Sequence, residues 1–549
     1  MITDHLTGLL EAGLGKLRSA GTLPDDLPAE VELSRPARPE HGEFATNLPL
    51  ALARGAKMPP RALATQLIAA LPESKLVEKA EVAGPGFINF HLTRGWLGTT
   101  IADIAAAGPA FGRGSAKAEK VQIEFVSANP TGPLHVGSGR NAAYGDSLAR
   151  LMAAAGYQVS TEYYVNDAGK QMERFSQSLH ARYLQALGQD AEVPEDGYRG
   201  EYLAELGREL AQEYGDSLAA DPARIGRIGT ERMVASHRRT LERFRVHFDG
   251  WKHESSLHES GQVKAGIAKL TELGHTFEKE GALWFRSSEL GSPRDQVLVR
   301  SDDESSTTYL AADVAYLLDK VSRGFDRVIY VWGADHHGNV AGLEAVARAL
   351  RLQQPVEIKL QQLVNFMSGG EAARMSKRAG TLVTIDELLD EVGVDAARFT
   401  LVSRSIDSTI DFDLELVKSQ SQENPVYYVQ YQHARTCSIL RNAADQGVVR
   451  GAVEDSNFGL LSHEQESALI RKLAEYPDLV EESARLRAPH RLVHYSQSLA
   501  AVFSAFYRDC RVLSDDADLS RARLWLVDGT RQVLANTLDL LGVSAPETM

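Results

Sequence analysis

Cysteine is nearly absent from this chain: 549 residues carry two, Cys437 and Cys510. That excludes a disulfide framework and a structural zinc site built on several thiolates. It points to a reducing compartment, so the expected location is the cytoplasm. Long apolar runs are missing too. No stretch approaches the roughly 20 residues of a membrane span, so no membrane partner is expected. The opening "MITDHLTGLLEAGLGK" has an early aspartate and no basic n-region, which argues against a secretory signal. Basic excess is also lacking: 59 Lys and Arg against 74 Asp and Glu leave a net charge of −15. A small DNA-binding module is normally basic, so no DNA partner is expected, although a large enzyme binds RNA through local patches and stacking. Neither an internal repeat nor a low-complexity tract is visible. What remains is an ordinary globular composition, 43% hydrophobic and 24% charged. The chain is too long for one core, and at roughly 100–200 residues per domain it predicts three or four.

Along residues 1–114 helical patterns alternate with β-like runs. "DHLTGLLEAGLGKL" and "PPRALATQLIAAL" read as helices, and "VEKAEVAGPGFINFHL" reads as strand, turn at Gly84-Pro85-Gly86, strand. "AAAGPAFGRGSAKAEK" is a small-residue linker, which places a boundary near residue 115. From 121 the texture changes. "VQIEFV", a glycine-rich loop, the helix "GRNAAYGDSLARLMAAAG" and "YQVSTEYYV" form the strand–loop–helix–strand unit of a parallel sheet. Further strands are expected at "VLVRS" (297–301), "RVIYVWG" (327–333) and "VEIKLQQLV" (356–364), with a charged, mostly helical insertion over about 175–290. Beyond 395 the strand signal fades into four helical runs. The expected fold is therefore multidomain α/β: a small α+β N-terminal domain, a Rossmann-like parallel-sheet core over 115–395, and an all-α domain over 396–549.

Within the core, "ANPTGPLHVGSGRN" (128–141) brackets Gly132 with two prolines, then presents a histidine, two more glycines and an arginine. A turn-rich connection is one reading, since Gly/Pro loops are common. Dinucleotide binding is another: Gly137-Ser138-Gly139 with Ala142 fits G-x-G-x-x-A, and Glu162 ends the next strand where a ribose-binding acid would stand. Its weakness is placement, because Gly137 lies well beyond the strand end with two prolines between. A third reading is a mononucleotide site at a helix N-terminus, where the amides of Gly137 and Gly139, the helix dipole, and the side chains of His135 and Ser138 converge on an anion.

A second loop, "NFMSGGEAARMSKRAGTLVTIDEL" (365–388), favours the third. Arg374, Lys377 and Arg378 lie between Gly369-Gly370 and Gly380, cations suited to a polyphosphate whose charge must be neutralised in a transition state. "PLHVGS" and "RMSKR" resemble the two signatures of class I aminoacyl-tRNA synthetases. "SANPTGPLHVGS", "EYYVNDAGKQ", "TYLAADVAYLLDK", "VWGADHHG", "GVDAARFTLVSRS" and "NPVYYVQYQHAR" resemble arginyl-tRNA synthetases, and the likeness covers nearly the whole chain. Two positions depart from the family pattern: Ser138 replaces a second histidine, and Arg374 replaces the first lysine of the second signature.

The resemblance implies activation of L-arginine by ATP to arginyl-adenylate, followed by transfer to the 3′-terminal adenosine of tRNA-Arg. Arginine, ATP and tRNA-Arg are then the partners, Mg²⁺ accompanies the pyrophosphate, and a monomer is the expectation. Catalytic roles fall on His135, Ser138, Lys377 and Arg378. ATP contacts fall on His135, Gly137, Ser138, Gly139, Asp335, Met375 and Lys377. Arginine recognition requires acids, because the guanidinium is a permanent planar cation. The family's motifs carry it to Glu124, Ser127, Asn129, Asn166, Tyr309, Asp313 and His337, with Asp167 a further pocket residue. Asp313 stands in an otherwise apolar stretch, four residues after Tyr309, so a helix puts both on one face. "ADHHG" (334–338) lacks the further spacing of a metal site, and no protein metal ligands are assigned. For tRNA, Phe87 would stack on a base and Asn89 would bond its edge, with Phe87 equally readable as core. Tyr431 and Arg435 are the C-terminal candidates, and Arg485, Arg487 and Arg491 are local cations that would offset the acidic total. A NAD-dependent oxidoreductase and a non-catalytic tRNA-binding relative are the competing readings.

Overall fold

The computed structural model describes residues 2–36, 38–93, 95–301, 307–368, 371–372 and 384–549. The N-terminal unit packs two helices on a small sheet. Helix α1 (Ile2–Ser19) buries Leu6, Leu10, Leu14 and Leu17, one stripe at helical spacing, and α2 (Pro60–Ala70) answers with Leu63, Ala64 and Leu67. Their approach is close at Gly13, where a Cβ would meet Leu67 Cδ1 at 3.0 Å. Strands β1 (Phe44–Thr46), β2 (Val77–Ala83) and β3 (Phe87–Leu92) form an antiparallel sheet in the order β1-β3-β2, so the expected hairpin across Gly84-Pro85-Gly86 is present.

The core is a five-stranded parallel sheet. β4 (Lys120–Glu124), α3 (Val136–Ala154) and β5 (Gln158–Val165) make the expected unit, and α4 (Lys170–Ala186), α5 (Glu201–Tyr214) and α6 (Pro222–Arg243) are the helical insertion. The insertion has a core of its own around Phe175, Leu179, Tyr183, Leu203 and Leu210. The chain then returns to the sheet as β6 (Gly250–His253), paired with β5 from within the stretch read as helical. Its sequence, "GWKH", has no apolar run to betray an edge strand. β7 (Thr276–Lys279), β8 (Ala282–Phe285) and β9 (Gln296–Val299) form a separate antiparallel sheet. The "VLVRS" strand therefore exists, but its partner is the neighbouring β8 and not the parallel sheet.

After α7 (Tyr309–Ser322) the chain crosses to the other side of β4, laying down β10 (Arg327–Gly333), α8 (His337–Ala349) and β11 (Val356–Gln361). The strand order is β11-β10-β4-β5-β6, all parallel. "VEIKLQQLV" does not stay in one strand: it leaves β11 at Gln361 and re-enters as β12 (Val364–Ser368), which joins β13 (Glu371–Ala372) and β14 (Ile410–Asp413) in a third small sheet.

The C-terminal unit is helical: α9 (Pro425–Asp445), α10 (Glu464–Ala474), α11 (Tyr476–Leu486), α12 (His490–Asp509) and α13 (Ala517–Leu540). The single run expected over 464–486 divides between α10 and α11, where Pro477 cannot supply the N–H that would continue the helix. Arg398 ties this unit to the core. Its buried guanidinium donates to Leu541 O and Phe244 O, both at 2.9 Å, and to the Asp146 carboxylate on α3. Among the described residues no helix is long and apolar enough to cross a membrane.

Candidate active site

Between β4 and β10 the chain departs toward opposite edges of the sheet, and the carboxyl ends of those two strands border a crevice of the kind that binds ligands in open α/β sheets. Asn141 on α3 spans it from below: Oδ1 accepts from Val126 N at 2.6 Å and Nδ2 donates to Val331 O at 3.0 Å. Val126 and Ser127 adopt left-handed backbone, φ 67° and 42°, uncommon for a β-branched residue and a sign of a constrained loop. Three residues from beyond the loop hold it. Tyr163 on β5 donates to Ala128 O (2.9 Å), His237 Nε2 on α6 to Gly132 O (2.7 Å) and Tyr202 on α5 to Thr131 O (2.6 Å). Tyr163 lies in "EYYVNDAGKQ" but was not singled out, and His237 and Tyr202 carried no sequence signal, because each acts from an element distant in the chain.

At the helix end of the loop, His135 caps α3, its Nδ1 accepting from Ser138 N at 3.4 Å. That bond assigns the proton to Nε2, which has no hydrogen-bond partner among the described residues. Desolvation in the crevice holds the imidazole below its ordinary range, and the Asp335 carboxylate opposes this more weakly. Gly137 is what lets the ring lie there: a Cβ on it would meet His135 Cε1 at 2.8 Å. Ser138 and Gly139 are buried in the first turn, with Ile385 packed 3.3 Å from where a Gly139 Cβ would stand. His135 also pairs with Thr384 in an antiparallel bridge, and Ile385 N donates to Leu134 O at 2.8 Å. Thr384 opens the helix Ile385–Val392 through a capping box with Glu387. The residue that ends the basic stretch of the sequence is thereby fixed beside His135. Arg374, Met375, Lys377 and Arg378 themselves lie outside the described residues.

On the strand side, Glu124 ends β4 and is buried. Its Oε1 accepts from Ser127 Oγ (3.0 Å), whose oxygen accepts from Tyr164 N (3.1 Å), and its Oε2 lies 2.6 Å from Lys320 Nζ. Lys320 is enclosed by aromatic faces, 4.0 Å from the Tyr316 centroid and 3.8 Å from that of Tyr330. Asp313, one helical turn after Tyr309 on α7, has its carboxyl pushed up to about 8 by burial, by Glu254 and by Glu124, against the pull of Lys320. Burial raises Glu254 as well, and Asp167 adds to the effect. Glu254, Lys320, Tyr316 and Tyr330 are members of this acidic cluster that the sequence reading missed.

The remaining pocket residues are placed unequally. Asn129 is engaged with Gln171 at the start of α4, Asn166 is half-buried just past β5, and Tyr309 is exposed. Asp335 and His337, at the start of α8, are also exposed. Asp167 is a strand-end tie: it accepts from Ser255 N (2.9 Å) and Ser255 Oγ (2.9 Å) and faces His253 Nδ1 at 2.7 Å. Glu162, the acid a dinucleotide would need, is occupied by Arg323 (2.7 and 2.9 Å), Tyr316 (2.5 Å) and Gln122 (2.9 Å). The oxidoreductase reading loses its ribose ligand.

Farther out, Phe87 is 36% exposed at the start of β3, whereas Asn89 is 4% exposed in the centre of the sheet between Ala45 and Glu81. Phe87 is thus offered to solvent and Asn89 is not. Tyr431 stacks on Tyr427 (6.3 Å, 9°), and Arg435 lies over both Tyr431 (4.7 Å) and Tyr507 (5.3 Å). Arg487 is not a free cation: it is buried and bonds Glu357 at 2.9 Å. Arg491 and Arg485 both face Glu482.

Residues 100–436 match the family "tRNA synthetases class I (R), catalytic domain", which assigns the switch-point core to class I aminoacyl-tRNA synthetases. Residues 4–92 match "Arginyl tRNA synthetase N terminal domain" and 429–549 the "DALR anticodon binding domain". The chain belongs to the arginyl-tRNA synthetases. It is 47% identical to an arginine–tRNA ligase of Carboxydothermus hydrogenoformans over 555 aligned residues, covering 100% of this chain and 99% of the relative. It is 49% identical to that of Syntrophotalea carbinolica, with 96% of each covered. The arginyl-tRNA synthetase structure of Thermus thermophilus shares the fold, with a TM-score of 0.75 at 24% identity over 99% of this chain and 100% of that one. The comparisons give no support to a non-catalytic relative.

Proposed function

We propose that this chain ligates arginine to tRNA-Arg with the following division of labour. A carboxylate oxygen of arginine attacks the α-phosphorus of ATP, the bond to the bridging oxygen breaks, and pyrophosphate leaves. The adenylate then passes its arginyl group to the terminal adenosine of the tRNA and releases AMP. The carboxylate is already ionised at neutral pH, so the first step needs positioning and charge stabilisation and no general base. His135 Nε2–H donates to a phosphate oxygen, Gly137 and Gly139 let the nucleotide approach backbone, and Ser138 contributes a neutral donor. Asp335 and Met375 contact the nucleotide, and Lys377 with Arg378 meets the pyrophosphate. Asp313, Glu124 and Tyr309 receive the guanidinium, while Ser127, Asn129, Asn166 and His337 orient the rest of the amino acid. Phe87, Tyr431 and Arg435 meet tRNA by stacking.

Mg²⁺ enters as part of the ATP substrate. Among the described residues no group of three His, Cys, Asp or Glu could hold a metal ion, and Mg²⁺ on nucleotides is bound largely through phosphate oxygens. The domain division follows as 1–114 for the tRNA elbow, 115–395 for catalysis and 396–549 for the anticodon, in a monomer.

What supports this reading is that the single loop from the end of β4 to the start of α3 begins at buried Glu124, which with Glu254 acts on Asp313, and ends at His135, the cap of α3. ATP–pyrophosphate exchange tests it, run with arginine or lysine and with or without tRNA-Arg. Exchange requiring arginine and tRNA is expected. Exchange supported equally by lysine would overturn the pocket assignment. Ser138→Ala is expected to lower the exchange rate about 10- to 150-fold, the worth of one hydrogen bond to a charged group.

A further inference from the structure

Arg140 belongs to the same short stretch as His135, yet it cannot touch substrate. It is 0% exposed, although it carries one of the largest side chains in the interior. Its guanidinium donates to Gln362 O (2.7 Å), Leu363 O (3.5 Å) and Ser405 O (2.9 Å), and among the described residues Nε has no partner. Among the described residues no carboxylate bonds it, and the field of Asp407 reaches it only at a distance. A cation buried on three main-chain carbonyls is costly as packing alone. What it gains is geometry, since a planar fork spans two segments that an apolar side chain could not register.

Those segments lead into the basic stretch of the sequence. Gln362 and Leu363 connect β11 to β12, Gln362 N donates to Ile406 O (2.9 Å) and Ile410 N to Leu363 O (3.1 Å), and β12 then pairs with β14 from Val364 to Met367. One residue earlier, Gln361 Nε2 donates to Gly137 O at 2.9 Å. The far end of the stretch is held at His135 by Thr384 and at Leu134 by Ile385. Both ends of the segment 364–384 are therefore anchored to the first two turns of α3 and the loop before it.

We propose that Arg140 is a positioning residue for adenylate formation, fixing the entry of β12, together with Gln361 on Gly137 O, in register with the phosphate-binding end of α3. The inference rests on the division of labour proposed above. Its test uses the full chain with Arg140→Lys and Arg140→Gln, which keep a donor, beside Arg140→Met. In arginine- and tRNA-dependent exchange the expected result is a kcat lowered at least tenfold for Arg140→Met and less for Arg140→Lys, with the KM for arginine within twofold of the parent. Amide hydrogen exchange supplies a readout independent of activity. Faster exchange across 362–368 with unchanged exchange in β10 is expected for all three variants. A parental kcat in Arg140→Lys and Arg140→Gln, a loss expressed wholly in the arginine KM, or exchange that rises uniformly over the chain would each overturn the proposal. A parent without arginine-dependent exchange refutes the function; the amide pattern then decides the placement of β12 by itself.

Discussion

Lys320 Nζ and Glu124 Oε2 lie 2.6 Å apart with side chains 0% and 5% exposed, so the acid at the end of β4 already has a counter-ion before any substrate arrives. Desolvation lowers the Lys320 pKa, and Glu124 is the main influence raising it back. Removing one partner leaves the other charge buried alone. Lys320→Met is expected to cost about 3–5 kcal/mol of stability, and Lys320→Met with Glu124→Gln to recover most of it. Chemical denaturation of the two variants measures this, and equal losses would show that the pair is not the source.

The role proposed for Asp313 makes arginine recognition depend on pH. Its carboxyl is pushed up to about 8 by burial first, then by Glu254 and Glu124, with Lys320 opposing. Cationic arginine favours the ionised form, so binding releases a proton below that pKa. The KM for arginine is expected to fall as pH rises from about 6.5 to 8.5, by at most about tenfold per unit, and then to level. In Asp313→Asn the slope disappears and the KM rises about 10- to 150-fold, the range for a lost charge-assisted bond. A parental KM that is flat over this interval removes Asp313 from the role.

Gly137→Ala separates stability from activity. Alanine is the better helix former by up to about 1 kcal/mol, so the melting temperature should hold or rise slightly. The new methyl would lie 2.8 Å from His135 Cε1 and 2.9 Å from Nδ1, which turns the imidazole off its axis. A misplacement of about 1 Å costs on the order of 100-fold in rate. Rapid-quench or exchange kinetics beside a thermal melt reads both effects, and full activity in a stable variant would count against His135 as a phosphate donor.

The site was legible where its chemistry is local. His135, Gly137 and Gly139 share one turn, and their spacing alone told of a ring, a close backbone and a helix end. Asp313 was visible as an acid inside an apolar run. Asn89 misled because its strand is the central one of its sheet, a fact that depends on β1 arriving from forty residues earlier. Arg487 looked like a surface cation and is a buried tie to Glu357, since a long side chain does not declare its partner.

By itself the sequence determined the class of fold and the order of its parts, and it marked the loop before α3. Periodicity, capping and glycine placement act within a few residues, and the signature words are contiguous. Only the tertiary structure decided that β10 lies against β4, that Lys320 pairs with Glu124 while Glu254 and Glu124 act on Asp313, that Asp167 and Glu162 are held by Ser255 and Arg323, and that Arg140 holds the entry of β12. Each of those depends on which strand neighbours which, and on how far burial drives a charge to find a partner, and these are properties of packing across the whole chain.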